Sequence, residues 1–442
     1  MPVKPTYRQS KSIPSSRLSR ASRLGALAGK IAGSVMAQGA GQLLKGEKPA
    51  LSSLLLTPRN MHNIADQLAR MRGAAMKLGQ LISMDAGDFL PAELADILAR
   101  LREDADPMPT AQLIDTLNKA WGPNWQSDLR YFSFHPIAAA SVGQVHKITT
   151  QQGKTLAVKV QYPGVRKSID SDVDNVATLI KLSGLLPKSL DIKPLLEEAK
   201  TQLHQEADYH REAAMLTRYK QHLSAMEHFI IPATFAPLTT KNVLAMDFIE
   251  AEDLDVLLKE PQSIRNRVMR ELFTLFLNEV FTFKLLQSDP NLANYKYQTN
   301  TQKLVLLDFG ATREVPDAIA EQYQQLLISA VNFDHQAMKQ AALKIGLINI
   351  DHSPSQVEAV ITLGMEACES LRHRGEYDFG QSDLVQRLND KGLDLTLEQD
   401  FWHTPPVDAL FIHRKLGGLF LLAKRLRAQV DMQKIAEPWL KP

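Results

Sequence analysis

The sequence predicts an α+β protein of two lobes, a small β-rich one and a larger helical one, with a further helical region ahead of both. Three observations predict this. Apolar residues recur at helical spacing through residues 58 to 120. Near Tyr131 the pattern changes to short β-rich runs, and from Gln262 it is mainly helical again. Finally, a lysine on an apolar strand and a pair of aspartates flanking a short hairpin are the residue types that a phosphate and metal site requires.

The chain has 442 residues, of which 44% are hydrophobic, so it can bury the core of a large two-lobed enzyme. Its 51 Lys and Arg nearly balance 49 Asp and Glu, which gives no overall case for a nucleic-acid partner. The single cysteine, Cys368, excludes an internal disulfide and a cysteine-based metal cluster. No stretch reads as a secretory signal peptide.

Residues 1 to 46 hold eight Lys or Arg and no acid before Glu47. Such a segment is a solvated basic arm, a membrane-surface helix or a transit peptide. Residues 1–18 are expected to be a disordered basic arm, and 19–50 a Gly/Ala-rich membrane or association helix. Gly25, Gly29, Gly33, Ala37 and Gly41 recur every fourth position, a small-residue stripe that permits close helix approach. The competing reading is a Gly-rich linker. Ala and Gly drive insertion weakly, so this segment is not expected to span a bilayer unaided.

Residues 51–127 form a helical subdomain in this reading, broken near Asp88–Pro91 and at Asp106–Pro109. The β-rich lobe covers 128–250. It opens with runs at Ala140–Ile148 and Leu156–Gln161, joined by a hairpin turn at Gln151–Lys154. One long helix from about Ile192 to His222 and a β run at Asn242–Ile249 follow. The helical lobe covers 251–442 and is interrupted by a short buried strand at Leu304–Asp308. Two lobes with a cleft suit a nucleotide enzyme.

Four segments carry the chemistry. In Ala138-Ala139-Ala140-Ser141-Val142-Gly143-Gln144-Val145, the places that hold Gly, Gly, Gly and Val in a protein-kinase phosphate loop hold Ala138, Ala140, Gly143 and Val145. Alone, an alanine-rich turn is only a turn. Leu156-Ala157-Val158-Lys159 matches the strand lysine that holds the α- and β-phosphates, and its inward position is unusual for a surface lysine. Asp289 precedes Asn294 by five residues, the spacing of a catalytic aspartate and a metal-binding asparagine. Asp308-Phe309-Gly310 follows a short apolar strand, and Asp308 would coordinate magnesium.

Jointly and in this order, the four segments predict a protein-kinase-like fold that binds ATP with Mg²⁺. Asp308 and Asn294 would hold the metal, a hard cation that prefers oxygen. Lys159 would hold phosphates, and Asp289 would orient an attacking alcohol or water. Met246, in the Asn242–Ile249 run, is counted with the alanine loop among the nucleotide-contacting residues. The long helix should supply an acid to position Lys159. Glu206 is the expected partner, with Glu197, Glu198 and Glu212 as alternatives. Asp208, two residues on, faces elsewhere on a regular helix, or else the helix bends there.

These segments resemble the UbiB family of atypical kinases, in particular the coenzyme Q biosynthesis kinase-like subgroup. The resemblance runs from about Arg70 to the C-terminus. It includes Lys77-Leu78-Gly79-Gln80 as the KxGQ signature, the alanine loop, Glu206 and Asp208 as an ExD pattern, Asp289-Pro290-Asn291, Asp308 to Glu314, and His413 to Gly418. It implies a kinase-like fold with an added N-terminal helical KxGQ subdomain. Lys77 and Gln80 share a helical face, and the resemblance makes them regulatory together with Glu206 and Asp208, the KxGQ segment covering the acceptor side of the cleft.

The resemblance further implies an ATP-dependent phosphotransferase or ATPase that supports ubiquinone biosynthesis at a membrane surface. Expected partners are membrane lipids or quinone precursors, quinone-biosynthesis proteins, and a second copy through the Gly-rich helix. The rival is a pseudokinase-like scaffold that binds nucleotide without turnover. A third reading, a small-molecule kinase, differs only in its acceptor. Gln287-Ser288 replace the usual His-Arg before the catalytic aspartate, and no Ala-Pro-Glu follows Gly310, so no peptide platform is expected. The expected location is peripheral on the cytoplasmic face of a bacterial inner membrane, or alternatively the mitochondrial matrix face.

Overall fold

The structure is a computed structural model that describes Gly73, Ala74, Lys77 and residues 107–442, apart from 184–191, Pro290, 398–400, Trp402, Thr404 and Pro442. The expected basic arm, the small-residue helix and Gln80 lie outside the described residues. The described chain divides into two compact units. One runs up to Ala214 and adds Ala233–Phe248; the other is Met215–Pro232 with Ile249–Pro442.

Helix α1 (Thr110–Trp121) leads into β1 (Leu129–Phe132), β2 (Ala138–Ala139), β3 (Gly143–Thr150) and β4 (Thr155–Gln161). The turn between β3 and β4 is the expected hairpin, with Gly153 at φ 82° closing it. Helices α2 (Val165–Ser183), α3 (Lys193–Glu206) and α4 (Tyr209–His222) follow. The expected single helix is thus two, parted at Ala207-Asp208. Helix α2 was not expected, although Ile169, Val173, Val176 and Ala177 are buried at helical spacing. After β5 (Phe229–Ile230), β6 (Val243–Asp247) completes the first unit's antiparallel sheet in the order β1-β3-β4-β6, with β2 added to β3.

Strand β4 is buried along almost its whole length. Successive side chains alternate between faces. Leu156, Val158 and Val160 join Leu113, Leu117 and Trp125 in one apolar cluster, so α1 covers that face. Ala157, Lys159 and Gln161 take the other. Burial thereby fixes the register: a shift by one residue would drive Lys159 into the apolar cluster.

The second unit contains β7 (Glu252–Asp253), α5 (Gln262–Leu277), β8 (Leu285–Gln287), β9 (Tyr295–Gln298), β10 (Lys303–Leu306) and β11 (Thr312–Glu314). Helices α6 (Asp317–Val331), α7 (His335–Ile345), α8 (Pro354–Ala367) and α9 (Glu369–Arg372) come next. They are followed by β12 (Tyr377–Asp378), α10 (Leu384–Leu397), α11 (Val407–Arg425), β13 (Gln429–Val430) and α12 (Met432–Leu440). The expected lone strand is one member of a four-stranded sheet, β5-β10-β9-β7, and two further pairs form, β8 with β11 and β12 with β13. Helix α5 is the core of this unit: Phe273 stacks at 5.3 Å on Phe379 and meets Phe420 edge-on at 5.9 Å. Directly after α5 the backbone widens into a π-helical turn, Asn278–Thr282.

Candidate nucleotide-binding site

In the first unit, Lys159 is 6% exposed on β4, paired in register with Val145 of β3 and Leu244 of β6. A buried ammonium needs a counter-charge. Glu212 supplies it: Lys159 Nζ donates to Oε1 at 2.9 Å and to Oε2 at 3.0 Å, and Glu212 itself is 1% exposed. The Tyr209 ring lies 5.7 Å from the same ammonium. Glu206, the expected partner, is a correction. It forms an ion pair with Lys77 at 2.5 Å and accepts a hydrogen bond from the Ser141 hydroxyl.

The break at Ala207-Asp208 explains the exchange. The Gln161 amide donates to the Ala207 carbonyl at 2.9 Å and so ties the break to β4. Asp208 then starts α4: its carbonyl accepts the Glu212 amide at 3.0 Å and its side chain accepts the Arg211 amide at 3.3 Å. Its other carboxylate oxygen meets Arg166 at 3.3 Å. The new helix has its own phase, and that phase aims Glu212 at Lys159.

The alanine loop bends between β2 and β3. Ala138 and Ala139 are exposed and pair with Val145 and Gln144, and the Ala140 amide donates to the Gly143 carbonyl at 2.9 Å. Gly143 cannot be alanine: a Cβ there would lie 2.4 Å from the Val160 carbonyl oxygen and 2.7 Å from the Tyr209 hydroxyl. Gly73 has the same restriction, since its Cβ would lie 2.6 Å from the Ser141 carbonyl oxygen. Gly73, which is helical, therefore lies close against the loop backbone, and Lys77, also helical, is 5% exposed. Met246 is buried in β6 opposite Ala157.

In the second unit, the hairpin of β9 and β10 brings the expected metal residues together. Tyr295 pairs with Leu306, and the Leu307 amide donates to the Asn294 carbonyl at 3.0 Å. Asn294 and Asp308 consequently line one small pocket with Glu279, Gln287 and Phe309. Asp289 sits at the end of β8 and accepts the Asn291 amide at 3.3 Å; Asn291 in turn caps the short turn Leu292–Asn294 by accepting the Ala293 amide at 3.1 Å. Asp308 Oδ1 accepts the Gly310 amide at 2.9 Å.

The donor set fits magnesium. Asp308 offers a carboxylate, Asn294 an amide oxygen, and the Asn294 amide nitrogen has no hydrogen-bond partner among the described residues. Asp308 and Asn294 would hold the ion, with phosphate oxygens and water as its further ligands.

Sequence reasoning missed a buried group beneath this pocket. Glu279, in the π turn, forms an ion pair with Lys415 of α11, and both are almost fully buried. Burial raises the Glu279 carboxyl and lowers the Lys415 ammonium from their ordinary values, while each partner opposes that shift in the other. A lone acid in the apolar run Leu272–Phe283 was the available signal, but nothing in the chain order pairs it with Lys415.

A family model described as the ABC1 atypical kinase-like domain matches residues 100–342. The chain is 35% identical over 434 residues to "Atypical kinase COQ8, mitochondrial" of Saccharomyces cerevisiae, covering 97% of this chain and 85% of that one. It is also 35% identical over 431 residues to "Atypical kinase COQ8B, mitochondrial" of Rattus norvegicus, covering 95% and 79%. A solved structure of Rv3197 from Mycobacterium tuberculosis in complex with erythromycin shares the fold. It has a TM-score of 0.59 at 19% identity, covering 94% of this chain and 100% of that one. With the KxGQ lysine, the alanine loop and the Asp308-Phe309-Gly310 segment in place, the chain belongs to the UbiB family of atypical kinases, in its coenzyme Q kinase-like subgroup.

Proposed function

We propose that the protein binds Mg²⁺–ATP and turns it over as an atypical phosphotransferase or ATPase that supports ubiquinone biosynthesis at a membrane surface. The observation that carries this reading is the buried, two-oxygen ion pair of Lys159 with Glu212. An ordinary kinase is competent only when its strand lysine and helix glutamate are paired. A scaffold that merely holds nucleotide could use that pair too, but it has no need of a proton acceptor at Asp289.

Lys159 binds the α- and β-phosphates, and Glu212 keeps its ammonium charged and aimed. The alanine loop would cover the phosphates. Magnesium, when bound, neutralises phosphate charge; Asp308 and Asn294 hold it there. Asp289 accepts the proton of the attacking hydroxyl or water. Lys77 and Ser141, both on Glu206, brace the loop from the acceptor side, and this favours a small or lipid acceptor over a protein.

The matched relatives are named as coenzyme Q-type atypical kinases of mitochondria. That supports the pathway and favours the matrix face over a bacterial inner membrane. No helix among the described residues is long and apolar enough to cross a membrane. The test separates enzyme from scaffold. Asp289→Asn should keep Mg²⁺–ATP affinity while turnover falls by about a hundredfold or more. Wild-type protein that binds ATP with no turnover, alone or with vesicles and quinone-precursor phenols, would establish the scaffold instead.

A further inference from the structure

Gln287 closes β8 two residues before Asp289, and it is 6% exposed. Its side-chain amide donates to the Asp308 carbonyl at 3.3 Å and accepts from the Tyr295 hydroxyl at 3.3 Å. Tyr295 directly follows Asn294. One side chain thus joins the backbone of one proposed metal ligand to the neighbour of the other, from a position beside the proposed proton acceptor.

The Gln287 backbone is held as tightly as its side chain. Its carbonyl accepts from Lys415 Nζ at 3.0 Å, and its amide faces Glu279 Oε1 at 3.5 Å. Glu279 Oε1 also lies 2.9 Å from the Tyr219 hydroxyl, and the Tyr219 ring packs at 4.7 Å on Phe309, the residue after Asp308. Apolar residues that replace a buried ion pair are often as stable or more stable. What an apolar pair lacks is a donor for the Gln287 carbonyl.

We propose that Gln287 is a positioning residue that locks the Asp289–Asn294 loop to Asp308, and that the buried Lys415–Glu279 pair exists to hold Gln287 in place. The proposal rests on the Mg²⁺–ATP reading above. Partners that orient metal ligands are worth about ten- to a hundredfold in metal affinity. Gln287 therefore acts on how well magnesium is held, not on whether the unit folds.

The experiment uses the full chain with Gln287→Leu, which keeps the bulk and loses the amide. Gln287→Asn keeps the amide but is too short to span both partners. Gln287→His restores an N–H donor. Readouts are thermal melting, ATP affinity in chelator, and the Mg²⁺ concentration that half-saturates ATP binding. Gln287→Leu and Gln287→Asn should melt near wild type and bind ATP in chelator as wild type does, yet need about ten- to a hundredfold more Mg²⁺. Gln287→His should recover most of the loss. Equal losses with and without Mg²⁺ in both variants would make the role structural and overturn the proposal. Unchanged Mg²⁺ dependence in both, while Asp308→Asn abolishes it, overturns the proposal and leaves the Mg²⁺–ATP reading standing. No Mg²⁺ dependence in wild type overturns both.

Discussion

At the scale of single residues, the identity of the acid facing Lys159 decides the chemistry. Glu212→Gln keeps the shape of the side chain but removes the charge that balances a buried ammonium. Unpaired, Lys159 loses its charge or its aim, so turnover should fall by about tenfold or more while the fold survives. Glu206→Gln should instead loosen Lys77 and Ser141 and leave Lys159 paired. Steady-state ATP turnover of both variants checks this; a loss confined to Glu206→Gln would return that residue to the lysine. A second residue governs pH behaviour. Glu271 on α5, 3.7 Å from His228 and 3.8 Å from Arg267, is raised by burial from 4.5 to about 7. The folded protein holds this proton more tightly than the unfolded chain does. Its contribution to stability is full below about 4.5 and is lost as pH rises to about 7. Melting temperature should decline across that window in the wild type and decline less in Glu271→Gln. Parallel curves would contradict the assignment.

At the scale of elements, the sequence was legible wherever burial and alternation acted on one strand. Lys159 stood out because Leu156, Val158 and Val160 mark the opposite face of β4. Its partner was not legible. Glu206 and Glu212 are six residues apart, and on one continuous helix they could not share a face. Only the break at Ala207-Asp208, held by Gln161, sets which of them meets the lysine. The spacing of Asp289 and Asn294 was visible because both lie within one short loop. Glu279 and Lys415 were not, because a π turn and a distant helix bring them together. Helix α2 had readable periodicity in Ile169, Val173 and Val176. The short strands β5, β7, β8 and β11 are too brief for alternation to show. The buried pair yields a stability prediction. Lys415→Met takes the counter-charge from the buried Glu279 carboxylate, which should cost about 3–5 kcal/mol. Adding Glu279→Leu should recover much of that loss. Denaturant unfolding of the two variants measures it, and a double variant no more stable than the single one would show that the ion pair is not the cause.

At the scale of the molecule, each unit holds its own set of the residues proposed above for nucleotide and metal. The first holds a buried, paired lysine, a loop in which alanine replaces glycine, Gly73 close against that loop, and Lys77 paired with Glu206. The second holds Asp289, Asn294 and Asp308 at the ends of short paired strands. The family identity was legible because these motifs keep their order along the chain. The order of the motifs does not name the acceptor, since the residues that would contact it are not the ones proposed to hold ATP. The central claim is that Asp308 and Asn294 make nucleotide binding depend on magnesium. The direct measurement is ATP affinity of the full chain titrated with and without Mg²⁺, for wild type and Asp308→Asn. Tight binding only with Mg²⁺ is expected in the wild type, with loss of that dependence in Asp308→Asn. Mg²⁺-dependent affinity that is unchanged in Asp308→Asn would contradict it.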